Sequence, residues 1–133
     1  MKKDTYVFPA IFTEAEDGIS IEFPDLPGCL SCASTLDEAA ENARDVLGLY
    51  LYGMEEDEED IPEPSALSSI TVPKNGTVYL AEAFMPAVRL NVRNVAVKKT
   101  LTIPAYLNAQ AERVGINFSA LLQSALRKEL HIR

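Results

Sequence analysis

The chain has 133 residues, 47% hydrophobic and 24% charged, a balance that suits a folded globular protein and excludes a disordered one. Its length allows one domain or two small ones. The net charge of −8 by itself opposes nucleic-acid binding, and the longest apolar run, Tyr6 to Phe12, is too short to span a membrane or serve as a signal peptide. A cytoplasmic protein is therefore expected, with Cys29 and Cys32 kept as thiols.

The first predicted elements are strands over Thr5–Thr13 and Ile19–Phe23, both rich in β-branched and aromatic residues, with Glu16–Gly18 as the turn of a hairpin. The Pro24–Gly28 stretch, PDLPG, breaks the chain, and Cys29–Ala33 reads as a third strand. Thr35 and Glu38 then make a capping box. A helix of about five turns follows, because Leu36, Ala39, Ala40, Ala43, Val46, Leu47, Tyr50, Leu51 and Met54 recur at three and four on one stripe. The acidic run Glu55–Asp60 opposes the helix dipole and should fray the helix near residue 55, with Pro62 and Pro64 barring continuation. Taken alone, that run suits a solvated loop.

Two more strands are expected at Ile70–Val72 and Thr77–Phe84, joined by a turn at Asn75–Gly76. Pro86 marks a boundary where charge changes sign: 18 acidic and 4 basic residues up to Pro86 give −14, and 2 acidic and 8 basic residues from Ala87 onward give +6. An acidic body and a basic tail suggest two partners of opposite charge. The division is thus 1–86, a connector at 87–96 and a tail at 97–133.

In the tail, Lys98, Thr100 and Thr102 alternate with Leu101 and Ile103 in a strand that stops at Pro104. Pro104 opens a helix with Leu107, Ala111 and Val114 on one face, and Gly115 closes it. Asn117 caps a second helix, stapled by Ile116 and Leu121, with Phe118, Leu121, Leu122, Ala125 and Leu126 turned inward and Arg127 and Lys128 at its negative end. A unit of roughly 35 residues without metal ligands or disulfides is too small for a core of its own. It is expected to dimerise by pairing the lone strand with its copy about a two-fold axis.

This tail resembles the ribbon-helix-helix DNA-binding family over Val97 to about Leu130, including the alternating strand, the proline that opens the first helix and the junction Gly115–Ser119. The resemblance implies that Lys98, Thr100 and Thr102 read bases in the major groove of operator DNA. The amides at Asn117, Phe118 and Ser119 would hold a phosphate at the helix N-terminus.

Residues 5 to 84, most specifically Pro24–Cys29 followed by Leu36–Ala40, resemble the HicB family of antitoxins. That resemblance implies an α+β fold: a degenerate RNase H-like sheet with one long helix, followed here by the ribbon-helix-helix. It also implies a basic, RNA-cleaving HicA-like toxin as partner, occluded by the acidic domain, and a complex that represses its own operon. The expected assembly is a homodimer through the tail, or a higher oligomer built on it.

Two other functions fit parts of this sequence. One is a ribbon-helix-helix transcriptional regulator whose acidic domain binds something other than a toxin. The other is an RNase H-like nuclease, which needs carboxylates converging on divalent metals about 4 Å apart. Glu14, Glu16, Asp17, Glu22 and Asp25 do not satisfy this, because Asp17 falls in the turn, Asp25 in the next loop and Glu22 faces solvent. Cys29 and Cys32 at i and i+3 of a strand point to opposite faces and cannot share a metal. His131, the one histidine, lies at a terminus that suits no catalytic base. A non-enzyme without metal or cofactor is expected.

Overall fold

The computed structural model describes residues 2–93 and 96–132. Its contacts divide the chain into two compact units, Met1–Val95 and Ala96–Arg133. Charge divides with them: 18 acidic and 6 basic residues up to Val95 give −12, and 2 acidic and 6 basic residues from Ala96 give +4.

The first unit is built on strands β1 (Thr5–Ala15), β2 (Gly18–Glu22) and β3 (Leu30–Ala33), then helix α1 (Leu36–Glu56), strand β4 (Gly76–Phe84) and helix α2 (Met85–Arg93). The sheet order is β3-β2-β1-β4 and every neighbouring pair is antiparallel. Alternation of side chains puts Tyr6, Phe8, Ala10 and Phe12 of β1 on the same face as Ile19, Ile21, Ala81 and Ala83. Against that face α1 lays Ala39, Ala43, Leu47 and Leu51, four-residue steps that keep one stripe inward, all at 0% exposure. Each buried leucine contributes about 2 kcal/mol from its removal from water.

Thr35 caps α1 by accepting from the Glu38 amide at 3.2 Å. The PDLPG stretch is a closed turn rather than a plain break. Phe23 N donates to Cys29 O at 3.3 Å, and Leu26 and Cys29 donate back to Phe23 O and Leu26 O at 3.0 Å each. Phe23, Leu26 and Cys29 are thereby planted in the core, and Tyr50 donates its hydroxyl to Pro27 O at 2.6 Å.

Four expectations change. Ile70–Val72 is not a strand; a short 3-10 turn at Leu67–Ser69 precedes irregular chain, so the sheet has four described strands. Cys29 precedes β3, although it and Cys32 do differ in environment, buried against exposed. The 87–96 connector is largely helix α2 and falls in the first unit up to Val95, with Ala96 opening the second and residues 94 and 95 lying outside the described ones. Docking is close, because a Cβ on Gly48 of α1 would meet Val88 Cγ2 at 2.8 Å. Glu55 is not part of a solvated loop either: it ends α1 with its side chain 3% exposed, paired to Arg89.

The second unit holds helices α3 (Ala105–Arg113) and α4 (Phe118–Leu130). Between them Ile116 N donates to Ala111 O and Gly115 N to Glu112 O, both at 3.1 Å, with Gly115 at φ +74. This is the paired 6→1 and 5→2 closure that needs a left-handed residue. Asn117 Oδ1 then accepts from Ala120 N at 3.0 Å to start α4. No described residue of the unit is buried; only Asn108, Ala111 and Leu122 are half-buried.

Candidate functional site

The basic unit presents the residues expected to read DNA. Lys98, Thr100 and Thr102 are all exposed. Residues 97–103 make no main-chain hydrogen bond among the described residues, and the expected strand is not formed within one chain. The physical reason is that a ladder needs a second row of amides and carbonyls, which a single copy lacks. Leu101 and Ile103 are 59% and 42% exposed. At the start of α4, Ala120 N is taken by the Asn117 side chain and Leu121 N by Asn117 O at 3.0 Å. Phe118 and Ser119 amides precede the intrahelical ladder and point outward from it. Ser119 Oγ accepts from Gln123 Nε2 at 3.2 Å, which fixes its rotamer.

The acidic unit presents an open cleft of about 790 Å³, lined by Thr5, Tyr6 and Val7 on one wall and by residues 58–64 on the other. Lys2 and Lys3 stand at its rim, and Glu58, Glu59, Asp60 and Glu63 are exposed carboxylates. The acidic wall is held at both ends. Glu58 N and Glu59 N bond back to Glu55 O and Met54 O at 3.2 and 2.9 Å, and Ser65 is held by Asp25, whose Oδ2 accepts from Ser65 N at 2.9 Å and whose Oδ1 accepts from its hydroxyl. Beneath the cleft, Arg89 Nε and Nη2 donate to Glu55 Oε1 and Oε2 at 3.0 and 2.7 Å, and Nη2 also donates to Lys3 O at 2.9 Å. The hydrogen bond it donates to Glu55 holds the guanidinium above its ordinary pKa, against the opposing effect of burial. Arg89 and Glu55 were not singled out from sequence. The available signal was Glu55 at the end of the apolar stripe, where a solvated acid is out of place.

Among the described residues no group of three or more His, Cys, Asp or Glu side chains is placed to hold a metal ion. Asp25 is committed to Ser65, while Glu14, Glu16 and Asp17 line a shallow depression with Thr35 and Leu36. No described helix is long and apolar enough to cross a membrane.

Comparison with known proteins places these surfaces in context. The model of a family described as HicB-like antitoxin of bacterial toxin-antitoxin systems matches residues 8–126, and so takes in both units. An uncharacterized 14.9 kDa protein from the rep-hol intergenic region of Haemophilus phage HP1 is 29% identical over 102 residues, 76% of this chain and 75% of its own. Among solved structures, a toxin-antitoxin complex from Streptococcus pneumoniae is similar with a TM-score of 0.57 at 19% identity, covering 94% of this chain and 99% of that one. The antitoxin HicB of Burkholderia pseudomallei is similar with a TM-score of 0.53 at 19% identity, covering 92% and 98%.

Proposed function

Because this chain belongs to the HicB-like antitoxins of bacterial toxin-antitoxin systems, we propose that it neutralises a basic, RNA-cleaving HicA-like toxin through its acidic unit and represses its own operon through its basic unit. The observation that carries the reading is the division of charge between two units, −12 up to Val95 and +4 beyond. A surplus of carboxylates steers a cationic partner and imitates the backbone that an RNase would otherwise grip. The N-terminal unit acts as a degenerate RNase H-like scaffold, a binder rather than an enzyme.

For the basic unit, domain 97–133 of the sequence reading, the supporting observation is its lack of a core. Twelve large hydrophobic residues from Val97 to Ile132 are at least 39% exposed. A second copy would cover them, pairing residues 97–103 about a two-fold axis and leaving Lys98, Thr100 and Thr102 on the outer face of the ribbon. Those three side chains would then meet base edges, and the N-terminus of α4 at Asn117, Phe118 and Ser119 a phosphate.

The deciding experiment is co-expression with the product of a small basic reading frame beside this gene. A stable complex that relieves the toxicity of that product and shifts upstream DNA supports the proposal. A chain that binds upstream DNA but no such product would instead be a transcriptional regulator with a different partner.

A further inference from the structure

One stretch of strand β1 has no neighbouring strand on its β2 side among the described residues. The strand pairs with β4 from Thr5 to Thr13, but with β2 only from Ile11 to Ala15. Direction follows from two bonds at its ends: Glu14 N donates to Asn75 O at 3.2 Å, and Asp4 O accepts from Met85 N at 2.6 Å, both toward the β4 side. The register between β1 and β4 runs without a bulge, so even-numbered residues direct their main-chain groups to β4 and odd-numbered ones to the other edge. Thr5, Val7 and Pro9 therefore aim at the unpaired side. Pro9 has no N–H to lose there, which explains how a proline sits inside an eleven-residue strand without breaking a ladder.

The amides and carbonyls of Thr5 and Val7 have no hydrogen-bond partner among the described residues, and both residues are exposed, whereas Pro9 is buried and closes the open stretch. Thr5 and Val7 also line the cleft, opposite the wall formed by residues 58–64. A free strand edge accepts an extended peptide through alternating main-chain bonds, and the side chains facing that peptide select its sequence. Here the selecting groups are Glu58, Glu59, Asp60 and Glu63, against two cations at the rim, Lys2 and Lys3. The balance favours a positively charged occupant.

We propose that an extended, cationic segment of the toxin adds to β1 as a strand along Thr5–Val7, between that edge and the 58–64 wall. The proposal rests on the antitoxin reading and specifies where and how the partner is held.

The test uses the full chain and the co-expressed basic product of the neighbouring reading frame, with affinity measured by calorimetry. Val7→Pro removes one amide from the free edge and none from the β4 ladder, and is expected to weaken binding at least tenfold while leaving far-UV circular dichroism unchanged. Glu59→Lys with Glu63→Lys alters only exposed side chains. It is expected to weaken binding at least tenfold and to flatten its dependence on salt, so the test survives even if Val7→Pro does not fold. Binding of a folded Val7→Pro chain within twofold of the parent overturns strand addition, and parental affinity in the doubly charge-reversed chain overturns the cleft as the site. In both cases the antitoxin reading stands, because the parent binds. Absence of binding by the parent overturns that reading and this inference with it.

Discussion

Arg89 and Glu55 form a two-bond pair at 2.7 and 3.0 Å, in which a carboxylate 3% exposed is matched by a guanidinium 19% exposed. The same guanidinium donates to Lys3 O, so one side chain joins α2, the end of α1 and the start of the chain. Planar two-point recognition of this kind is a property of arginine that lysine does not reproduce. Arg89→Ala leaves the Glu55 carboxylate buried without a partner, and we predict a loss of about 3 kcal/mol in a urea titration. Arg89→Lys should recover only part of it. A midpoint unchanged in both variants would remove the pair from any role in stability.

Two glycines of α1 should respond oppositely to alanine. At Gly48 the new methyl meets the stiff Val88 side chain at 2.8 Å, and Gly48→Ala is predicted to cost about 1 to 3 kcal/mol by pushing α2 away. At Gly53 nothing lies within 4 Å, and Gly53→Ala is predicted to stabilise by about 0.5 to 1 kcal/mol through the helix backbone alone. Thermal melts of the two variants measure the contrast directly.

The two thiols should separate by chemistry. Cys32 is exposed, so a maleimide is expected to label the native chain once and the unfolded chain twice. Burial pushes the Cys29 thiol up to about 11 from its ordinary 9.0. The folded chain thus holds that proton more tightly than the unfolded one. The contribution is complete below pH 9 and is lost as pH rises toward 11, by up to about 2 kcal/mol. Cys29→Ala should lose that part of the alkaline slope, read as the difference between the two denaturation series.

Operator binding should be strongly salt-dependent, with the logarithm of affinity falling linearly against that of salt as several phosphates are neutralised. Lys98→Ala and Thr100→Ala are each expected to cost about 1 to 3 kcal/mol and to relax base preference at one position per half-site. An equal loss on every sequence would identify a phosphate contact instead.

Oligomeric state should follow the tail. Leu121→Glu places charge on a side chain expected in the shared core, and is predicted to give monomers by light scattering and to abolish operator binding while sparing toxin binding. Dimers of undiminished stability in this variant would require a different interface.

Much of the local structure was legible because single residues announced it. Thr35, Asn117 and Gly115 mark helix ends through bonds that only their side chains or backbone can make. The β-branched run at Ile70–Val72 misled because propensity carries no information about whether a neighbouring edge is free. Helix α2 was ambiguous in sequence, since its β-branched run suits a strand while Arg89 and Arg93 at i and i+4 suit a short helix; the helix forms, and it packs where Gly48 leaves space for Val88. The cleft was the least legible feature. The one sign of it in the sequence is Pro9, a residue excluded from a fully paired strand, and by itself that says nothing of a wall opposite.

The unburied tail has a consequence in time and quantity. If the tail pairs with a second copy as proposed, the share of its apolar surface that is covered follows chain concentration by mass action. Well below the dimer dissociation constant, dimer concentration, and under the proposed repression operator occupancy with it, would grow as the square of chain concentration. On that proposal transcription would run freely while copies are scarce and shut down over a narrow range once they accumulate.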